Sequence, residues 1–365
     1  MSEHHAVFFS LVLKNLYAAG VSTRPMFQSD QGWECGVTAR KRVVRAMMTA
    51  GMLIAFHGVG VAAPQPVTGE DISAPGPKGL LKGTLTRAGK NAPVVLILPG
   101  SGPTDRDGNN VLGIKAGTYR LLAEGLAAQG IASVRVDKRG LGASAAAVTN
   151  GNDVTIADYV QDTRNWIAST QKQTGAHCVW LLGHSEGGLI ALVTAAETPA
   201  GLCGVILAST PGKPLGNVVK QQLAPTPFAA DGNRVVDQLA AGKKVDVSTL
   251  AAPLQHIFNP AVQGFLISAF SYNPAQLMAR IKLPVLIIQG AWDAQVSVQD
   301  AGLLKAAKPD AQVLIVPQTG HLLKTLSTNT PDANRAVAAD PNLPLAAGIV
   351  ADVSGFIKKA ASEKE

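Results

Sequence analysis

Charged side chains are scarce in this chain, and so are aromatic ones. Only 16% of its 365 residues are charged and 5% are aromatic, whereas 47% are hydrophobic. So little charge beside so much apolar material excludes an intrinsically disordered chain. The 37 glycines and 22 prolines follow no Gly-X-Y period, which excludes a collagen-like protein. A globular body with one large core or two modest ones remains.

Cysteine is also scarce, at three residues: Cys35, Cys178 and Cys203. Three cysteines cannot build a disulfide scaffold, and no Cys-x-x-Cys or clustered His and Cys spacing indicates zinc. We therefore expect no metal and no cofactor.

The excess of positive charge is small. Of the net +7, residues 1–63 contribute +3, from six Lys or Arg and three acids, which leaves +4 for the other 302 residues. No basic run follows Arg45. The sequence thus argues against a nucleic-acid partner and favours a small neutral or weakly charged molecule.

The amino-terminal segment has the order of a secretory signal. A basic cluster (40–45) precedes an uncharged apolar stretch (46–61), and Ala62 and Ala63 then precede a Pro-rich stretch (64–66). We expect an exported protein, periplasmic or secreted, without a stable membrane span after processing. The alternative is a membrane anchor formed by residues 46–63. The 39 residues ahead of the cluster do not fit a signal, which normally begins the chain.

From Asp71 onward, short β-rich runs alternate with helical patterns, which predicts an α/β fold with a mostly parallel, doubly wound sheet. Three units are expected: a leader with the signal-like segment (1–63), a core (64–209 and 281–365) and a helical cap (210–280). The cap is inferred because a polar, Pro-interrupted insertion of about 70 residues is too long for a plain loop. The predicted strands are 80–87, 94–98, 132–136, 178–182, 204–208, 284–289 and 313–316, and the predicted helices are 118–128, 156–169, 187–196 and 345–359.

One motif carries nucleophilic chemistry. Residues 183–187 read Gly-His-Ser-Glu-Gly, a G-x-S-x-G pattern between the apolar run CVWLL and the helical run GLIALVTAA. The pattern alone is weak in a chain so rich in glycine, but a preceding strand and a following helix are what a nucleophile elbow requires. Ser185 is the predicted nucleophile.

A serine nucleophile needs a base and an acid that orients it. His321 follows the run VLIVP, and Asp293 follows the run VLIIQG, so both fall just past predicted strands. The order Ser185, Asp293, His321 is that of an α/β-hydrolase triad. The alternative interpretations are a turn cap for Asp293 and an ordinary loop residue for His321. His184 is expected to pack beside the nucleophile rather than act as the base.

Acyl transfer also needs donors for the oxyanion. The amide of Glu186, directly after the nucleophile, is one candidate. The other is the amide of Ser101, in a loop of small residues (99–109) after the predicted strand 94–98. The alternative for that loop is an ordinary Gly/Pro turn.

Five segments together carry a resemblance: GSGPTDRDGN, VDKRGLGAS, LLGHSEGG, GAWDAQV and GHLLK. From about residue 71 to 357 the chain resembles the α/β-hydrolase superfamily, in its serine aminopeptidase-like and carboxylesterase group. The resemblance implies a helical cap after the sixth strand, the same triad and the Ser101 amide as oxyanion donor. It also implies that Asp137 and Arg139 brace the loops around the site. Pro99 departs from the pattern, because these enzymes usually have a histidine there.

The sequence therefore predicts a serine hydrolase that cleaves small-molecule carboxylic esters through an acyl-enzyme. The alternatives are an amidase, peptidase or thioesterase with the same triad, or an envelope binding protein without turnover. Specificity is expected in the cap. Its apolar candidates for the substrate pocket are Phe258, Phe265, Leu266, Phe270 and Tyr272.

Cys178 begins one predicted strand and Cys203 directly precedes another, and the helix after the elbow joins the two strands. Both thiols should lie near the same lower edge of the sheet. A bridge would close a loop of about 25 residues, but adjacent parallel strands rarely present side chains at bridging geometry. The sequence alone does not decide whether this disulfide forms.

Overall fold

A computed structural model of the protein describes residues 69–197 and 200–362. Those residues build one eight-stranded sheet with the order β1-β2-β4-β3-β5-β6-β7-β8. The strands are β1 (Gly69–Pro75), β2 (Leu80–Thr86), β3 (Val94–Leu98), β4 (Ala132–Val136), β5 (Val179–His184), β6 (Leu202–Ala208), β7 (Val285–Gly290) and β8 (Gln312–Val316).

At least one α-helix follows each strand from β3 onward. The α-helices are α1 (Thr118–Ala128), α2 (Ile156–Thr174), α3 (Glu186–Ala196), α4 (Leu215–Leu223), α5 (Ala229–Ala240), α6 (Ala252–Ile257), α7 (Gln263–Phe270), α8 (Pro274–Arg280), α9 (Val298–Ala307), α10 (Pro331–Ala339) and α11 (Ile349–Ser362). Five of them, α4 to α8, lie between β6 and β7, in the segment predicted as a cap. The division into core and cap domains stays a prediction.

The sheet is mostly parallel, as predicted. Neighbouring strands from β4 to β8 pair in parallel, whereas β1 pairs antiparallel with β2, and β2 antiparallel with β4. Parallel strands end at the same edge of a sheet, so the loops after β3, β5, β7 and β8 come together there. That edge is where the predicted site residues fall.

Helices cover both faces of the sheet, which explains why its central strands β3, β5, β6 and β7 are buried along their whole length. All five residues of β3 are buried. Val95 and Ile97 belong to a core cluster that includes residues of α1 and α11. Val94, Leu96 and Leu98 belong to a second cluster with α2, α3 and the helices between β6 and β7. Alternate residues of one strand thus serve two core layers.

Three elements were missed in the sequence. Strand β1 has the sequence GEDISAP and lies at the sheet edge, where acidic residues and proline are tolerated but predict no strand. Helix α9 begins with a capping box formed by Ser297 and Asp300, and α10 follows Thr330 with proline at its first position. Both signals are visible in the sequence.

Helix α2 runs five residues past its predicted end and stops at Gly175, whose φ is 74°.

Cys178 and Cys203 form a disulfide bridge, with their Cα atoms 5.2 Å apart. Val179 lies opposite Leu202, but Trp180 lies opposite Gly204, so Cys203 is an extra residue in β6. Such a bulge bends its strand and departs from regular pairing. The geometric objection raised from the sequence assumed regular parallel strands, and the bulge removes that assumption.

The bridge should contribute about 3 kcal/mol to the free energy of unfolding, the chain-entropy value for a loop of this length. Urea unfolding with and without dithiothreitol measures it: the reductant should lower the midpoint for the native chain. The variant Cys178→Ser/Cys203→Ser should unfold at the lower midpoint under both conditions. Equal midpoints for the native chain would contradict the bridge.

The leader, the signal-like segment and its possible anchor at 46–63 lie outside the described residues. Within residues 69–197 and 200–362, no helix is both long enough and apolar enough to cross a membrane. Nor do these residues bring three His, Cys, Asp or Glu side chains together as a metal site would require.

Candidate active site

Ser185 stands on a sharp turn between β5 and α3. Its backbone has φ 55° and ψ −118°, a conformation that side-chain-bearing residues rarely adopt. Gly183 and Gly187 allow this turn, because without side chains they let neighbouring backbone segments approach closely. A Cβ on Gly183 would lie 2.3 Å from the carbonyl oxygen of Gly187, and a Cβ on Gly187 would lie 2.2 Å from that of Leu98. The G-x-S-x-G spacing thus reflects packing of the elbow against β3.

Asp293 and His321 meet at the same edge of the sheet. Asp293 lies in the loop after β7, and His321 lies in the loop after β8. His321 Nδ1 donates to Asp293 Oδ2 over 2.8 Å. The other oxygen, Oδ1, accepts from the amides of Gln295 at 2.8 Å and Val296 at 3.0 Å. This leaves Nε2 of His321 as the nitrogen that can accept a proton.

A cavity of about 40 Å³ joins the predicted residues. Ser185, His321 and Ser101 all contribute to its wall, whereas Asp293 stands behind His321. The complete lining is Gly100, Ser101, Thr104, Gly108, Asn110, Ile114, Thr118, Tyr119, His184, Ser185, Gln295, His321 and Leu322. The structure therefore brings a serine, a histidine and its carboxylate together at one small opening.

The Asp293 carboxyl is fully buried, yet it is held in its charged form. Burial by itself would raise its pKa, but the facing His321 and the hydrogen bonds from His321, Val296 and Gln295 outweigh burial and hold the pKa below its usual value. An ionised Asp293 fixes the Nδ1–H tautomer of His321 and can stabilise a positive charge on the ring.

Both predicted oxyanion donors lie beside the serine. Glu186 begins α3, where the first amides have no acceptor within the helix. Ser101 lines the cavity, and a Cβ on the preceding Gly100 would lie 3.4 Å from Ser185 Cβ. The Gly100 amide itself donates to the Tyr119 hydroxyl over 2.9 Å.

The Tyr119 hydroxyl continues into a chain of hydrogen bonds. It lies 2.9 Å from His184 Nδ1, and His184 Nε2 lies 2.8 Å from the carbonyl oxygen of His321. A carbonyl only accepts, so Nε2 carries the His184 proton and Nδ1 accepts from Tyr119. The buried chain thus links the loop at Gly100 to the backbone of His321. His184 is the residue before the nucleophile, and it also lines the cavity at Ser185.

Burial, and then the neighbouring His321, lower the pKa of His184 to about 3. An unfolded histidine titrates near pH 6.5, so between pH 6.5 and 3 the unfolded chain binds one proton more than the folded one. His184 should therefore make the free energy of unfolding fall by about 1.4 kcal/mol for each unit of decreasing pH in this window. Urea titrations from pH 7 to 4 should show a shallower fall for His184→Gln, and equal slopes would contradict a neutral buried imidazole.

Residues 112–258 match the family model described as serine aminopeptidase, S33. Esterase EstD of Thermotoga maritima is 24% identical over 276 residues, which are 71% of this chain and 61% of that protein. Human monoglyceride lipase is 39% identical over 64 residues, 17% of this chain and 21% of that protein. The chain thus spans less than two thirds of the length of these relatives.

Two solved structures share the fold. An esterase of Pyrococcus furiosus has a TM-score of 0.53 at 16% identity and covers 80% of this chain and 91% of that one. Est1E from Butyrivibrio proteoclasticus has a TM-score of 0.51 at 13% identity and covers 81% and 99%. With the eight-stranded sheet and the elbow, these matches show the fold. The chain has the α/β-hydrolase fold.

The five cap residues named for the substrate pocket stay a prediction, and the structure places none of them among the described residues that line the cavity at Ser185. Phe258, Phe265, Leu266 and Phe270 are buried in the core cluster, and Tyr272 packs against it half-buried. An apolar helix in a cap can face either a pocket or the cap's own core, and composition does not distinguish the two faces.

Phe265 illustrates the core role. Its ring meets that of Tyr159 on α2 edge to face, with centroids 6.2 Å apart. Phe265→Ala should lower the free energy of unfolding by about 3–5 kcal/mol, because it leaves a cavity. The relative rates on esters of different acyl length should stay the same. Leu80→Ala, at an exposed position, is the matched control and should change stability by about 0.5 kcal/mol or less. Altered acyl-length preference without loss of stability would return Phe265 to the substrate pocket.

Asp137 and Arg139 brace the loops, as the resemblance implied. Asp137 accepts from the Arg106 amide and guanidinium and from the Ala143 amide. Arg139 pairs with Asp158 and Asp162 of α2. Two further residues were not predicted from the sequence: Lys138, which lies between Asp137 and Arg139, and Tyr119. Lys138 stands between two charged residues, a pattern typical of exposed positions, so the sequence held no signal for its burial.

Proposed function

We propose that this α/β-hydrolase hydrolyses carboxylic esters of small or medium acyl chains through an acyl-enzyme on Ser185. His321 is the general base, Asp293 holds its imidazole, and the amides of Ser101 and Glu186 stabilise the oxyanion. The observation that carries the proposal is the Nδ1 to Oδ2 hydrogen bond of His321 and Asp293 behind a cavity that Ser185 also lines.

The reaction proceeds in two halves. His321 Nε2 takes the Ser185 proton as Oγ attacks the ester carbonyl, and the protonated ring then gives that proton to the leaving alkoxide. Water, deprotonated by the same nitrogen, attacks the carbonyl of the acyl-enzyme. The bond from this carbon to Ser185 Oγ then breaks, Oγ takes the proton from His321, and the acid is released. In both tetrahedral intermediates the negative oxygen would accept hydrogen bonds from the two amides. These hydrogen bonds are strongest when water is excluded. Burial of Ser185 and His321 supports such exclusion.

The relatives support the ester class, and the size of the cavity supports a short acyl group. Esterase EstD and the Pyrococcus structure are both named as esterases. An opening of about 40 Å³ favours a short acyl group over a long one. A panel of p-nitrophenyl esters from acetate to palmitate tests the proposal. The short esters should give the highest kcat/KM, and no turnover on any ester would refute esterase activity.

Amide hydrolysis is a second candidate, favoured by the description of the matching family as serine aminopeptidase. The same triad can cleave amides, but the leaving amine must then be protonated by His321. Aminoacyl p-nitroanilides, assayed beside the esters, separate the two activities.

We also propose that the protein acts outside the cytoplasm, on a small-molecule ester and without nucleic acid, metal or cofactor. The signal-like order of residues 40–63 supports export. The Cys178–Cys203 bridge supports it independently, because disulfides persist in oxidising compartments. Amino-terminal sequencing of the protein from the cell envelope should find a start near Pro64. A start before Arg40 on protein that stays in the membrane fraction would favour the anchor.

A further inference from the structure

Gly100 is held at both of its backbone polar groups. Its amide donates to the Tyr119 hydroxyl, and its carbonyl oxygen accepts from Lys138 Nζ over 2.8 Å. Gly100 directly precedes Ser101, whose amide is the proposed oxyanion donor. Pro99, which precedes Gly100, has no backbone N–H to donate. The loop is thus fixed by side chains from α1 and from the end of β4.

Lys138 is a costly residue to place there. It is only 7% exposed, although a lysine side chain is almost never buried without a partner. Nζ lies 3.3 Å from the buried carboxylate of Glu186 and 5.3 Å from the ring centroid of Tyr159. Glu186 follows the nucleophile directly. Through Gly100 and Glu186, Lys138 therefore links the two segments that carry the proposed oxyanion amides.

We infer that Lys138 is a positioning residue for catalysis: it fixes and polarises the Gly100–Ser101 peptide so that the Ser101 amide donates to the oxyanion. The inference rests on the proposed function. The carbonyl of residue 100 and the N–H of residue 101 belong to one planar trans peptide and point in opposite directions. A donor that holds the carbonyl oxygen therefore also sets the direction of the N–H.

The charge of Lys138 adds to this geometric effect. A charged donor on the carbonyl oxygen draws electron density from the peptide and makes its N–H a stronger donor in a low-dielectric site. Negative charge develops on the substrate oxygen only as the tetrahedral intermediate forms. The gain is therefore larger in the transition state than in the bound ester, which affects kcat more than KM.

Lys138→Met removes the charge and keeps most of the volume. We expect kcat on p-nitrophenyl acetate to fall about 10- to 100-fold, somewhat less than the loss of a complete oxyanion donor. KM should change by about threefold or less. The inhibition constant of a trifluoromethyl ketone, whose serine adduct carries an oxyanion, should rise by the same factor as kcat falls.

Lys308→Met is the matched control. Lys308 is also 7% exposed, also pairs with a carboxylate, that of Asp310, and lies just before β8 at the opposite edge of the sheet. It should leave kcat and the inhibition constant unchanged. If both lysine variants slow turnover alike, the effect is general and the inference fails.

The double variant Lys138→Met/Glu186→Gln separates positioning from stability. It removes both buried charges, so it should recover stability that Lys138→Met loses, as measured by thermal melting. Turnover and ketone binding should stay low, because nothing then holds the Gly100 carbonyl. Recovery of kcat together with stability would overturn the inference. A native chain that neither turns over esters nor forms the ketone adduct would instead refute the proposed function.

Discussion

Ser185→Ala is expected to reduce ester turnover by about 10⁵- to 10⁶-fold, the scale seen when a serine nucleophile is removed from a working triad. The reason is chemical, because alanine cannot form the acyl-enzyme. The free energy of unfolding should change by about 1 kcal/mol or less, since the substitution removes one atom that faces a cavity. Alanine has the same Cβ as serine, so the strained φ of 55° is accommodated equally.

Kinetics with p-nitrophenyl acetate and urea unfolding measure the two effects of Ser185→Ala. Ser101→Ala is a useful control, because it shortens another serine on the same cavity but keeps the backbone amide. Its turnover should fall by about tenfold at most, since the proposed donor is the amide. A Ser185→Ala variant with most of its activity left would assign the nucleophile to another residue.

His321→Ala and Asp293→Asn should lower kcat by about 10⁵-fold and about 10⁴-fold, the first by removing the base and the second by favouring the wrong tautomer of His321. Because the residues act as one unit, the two losses should not add. The variant His321→Ala/Asp293→Asn should therefore turn over about as slowly as His321→Ala alone. A double variant slower than that by a further factor of about 10⁴ would mean that Asp293 acts independently of His321.

Local patterns in the sequence were sufficient for most of the sheet. The bounds of β3, β4 and α1 agree with their predicted ranges, since each is a buried or amphipathic run ended by glycine, proline or polar residues. The site residues were candidates for a related reason: each follows an apolar strand, and parallel strands end at one edge. Ser185, Asp293 and His321 were identified as candidates because they occur in the expected order along the chain and because each follows a strand at the same edge of the sheet.

Local sequence patterns do not predict contacts between segments that are far apart in the chain. The disulfide depends on a bulge at Cys203, which shifts the register between two strands and has no local signal. Whether Phe258 and Phe265 face a pocket or a core depends on how the cap helices pack together. The role inferred for Lys138 depends on the hydrogen bond from its Nζ to the carbonyl oxygen of Gly100, 38 residues earlier in the chain.

The environment of the elbow explains why the loop residue Pro99 is compatible with the proposed chemistry. Tyr119 and Lys138 hold Gly100 directly at its amide and its carbonyl oxygen, and His184 holds the Tyr119 hydroxyl. All three are buried, and the low pKa of His184 keeps its ring neutral, so the chain of hydrogen bonds stays the same across the neutral pH range. A fixed oxyanion loop requires little reorganisation during the reaction.

Covalent labelling with a fluorophosphonate tests the central claim most directly, because the reagent reacts with an activated serine whatever the natural substrate is. The intact protein should gain one phosphonyl group, and peptide mass spectrometry should locate it on Ser185. Labelling should be lost in Ser185→Ala and slowed in His321→Ala. An unlabelled native protein, or an adduct on a different serine, would contradict a Ser185, His321 and Asp293 triad.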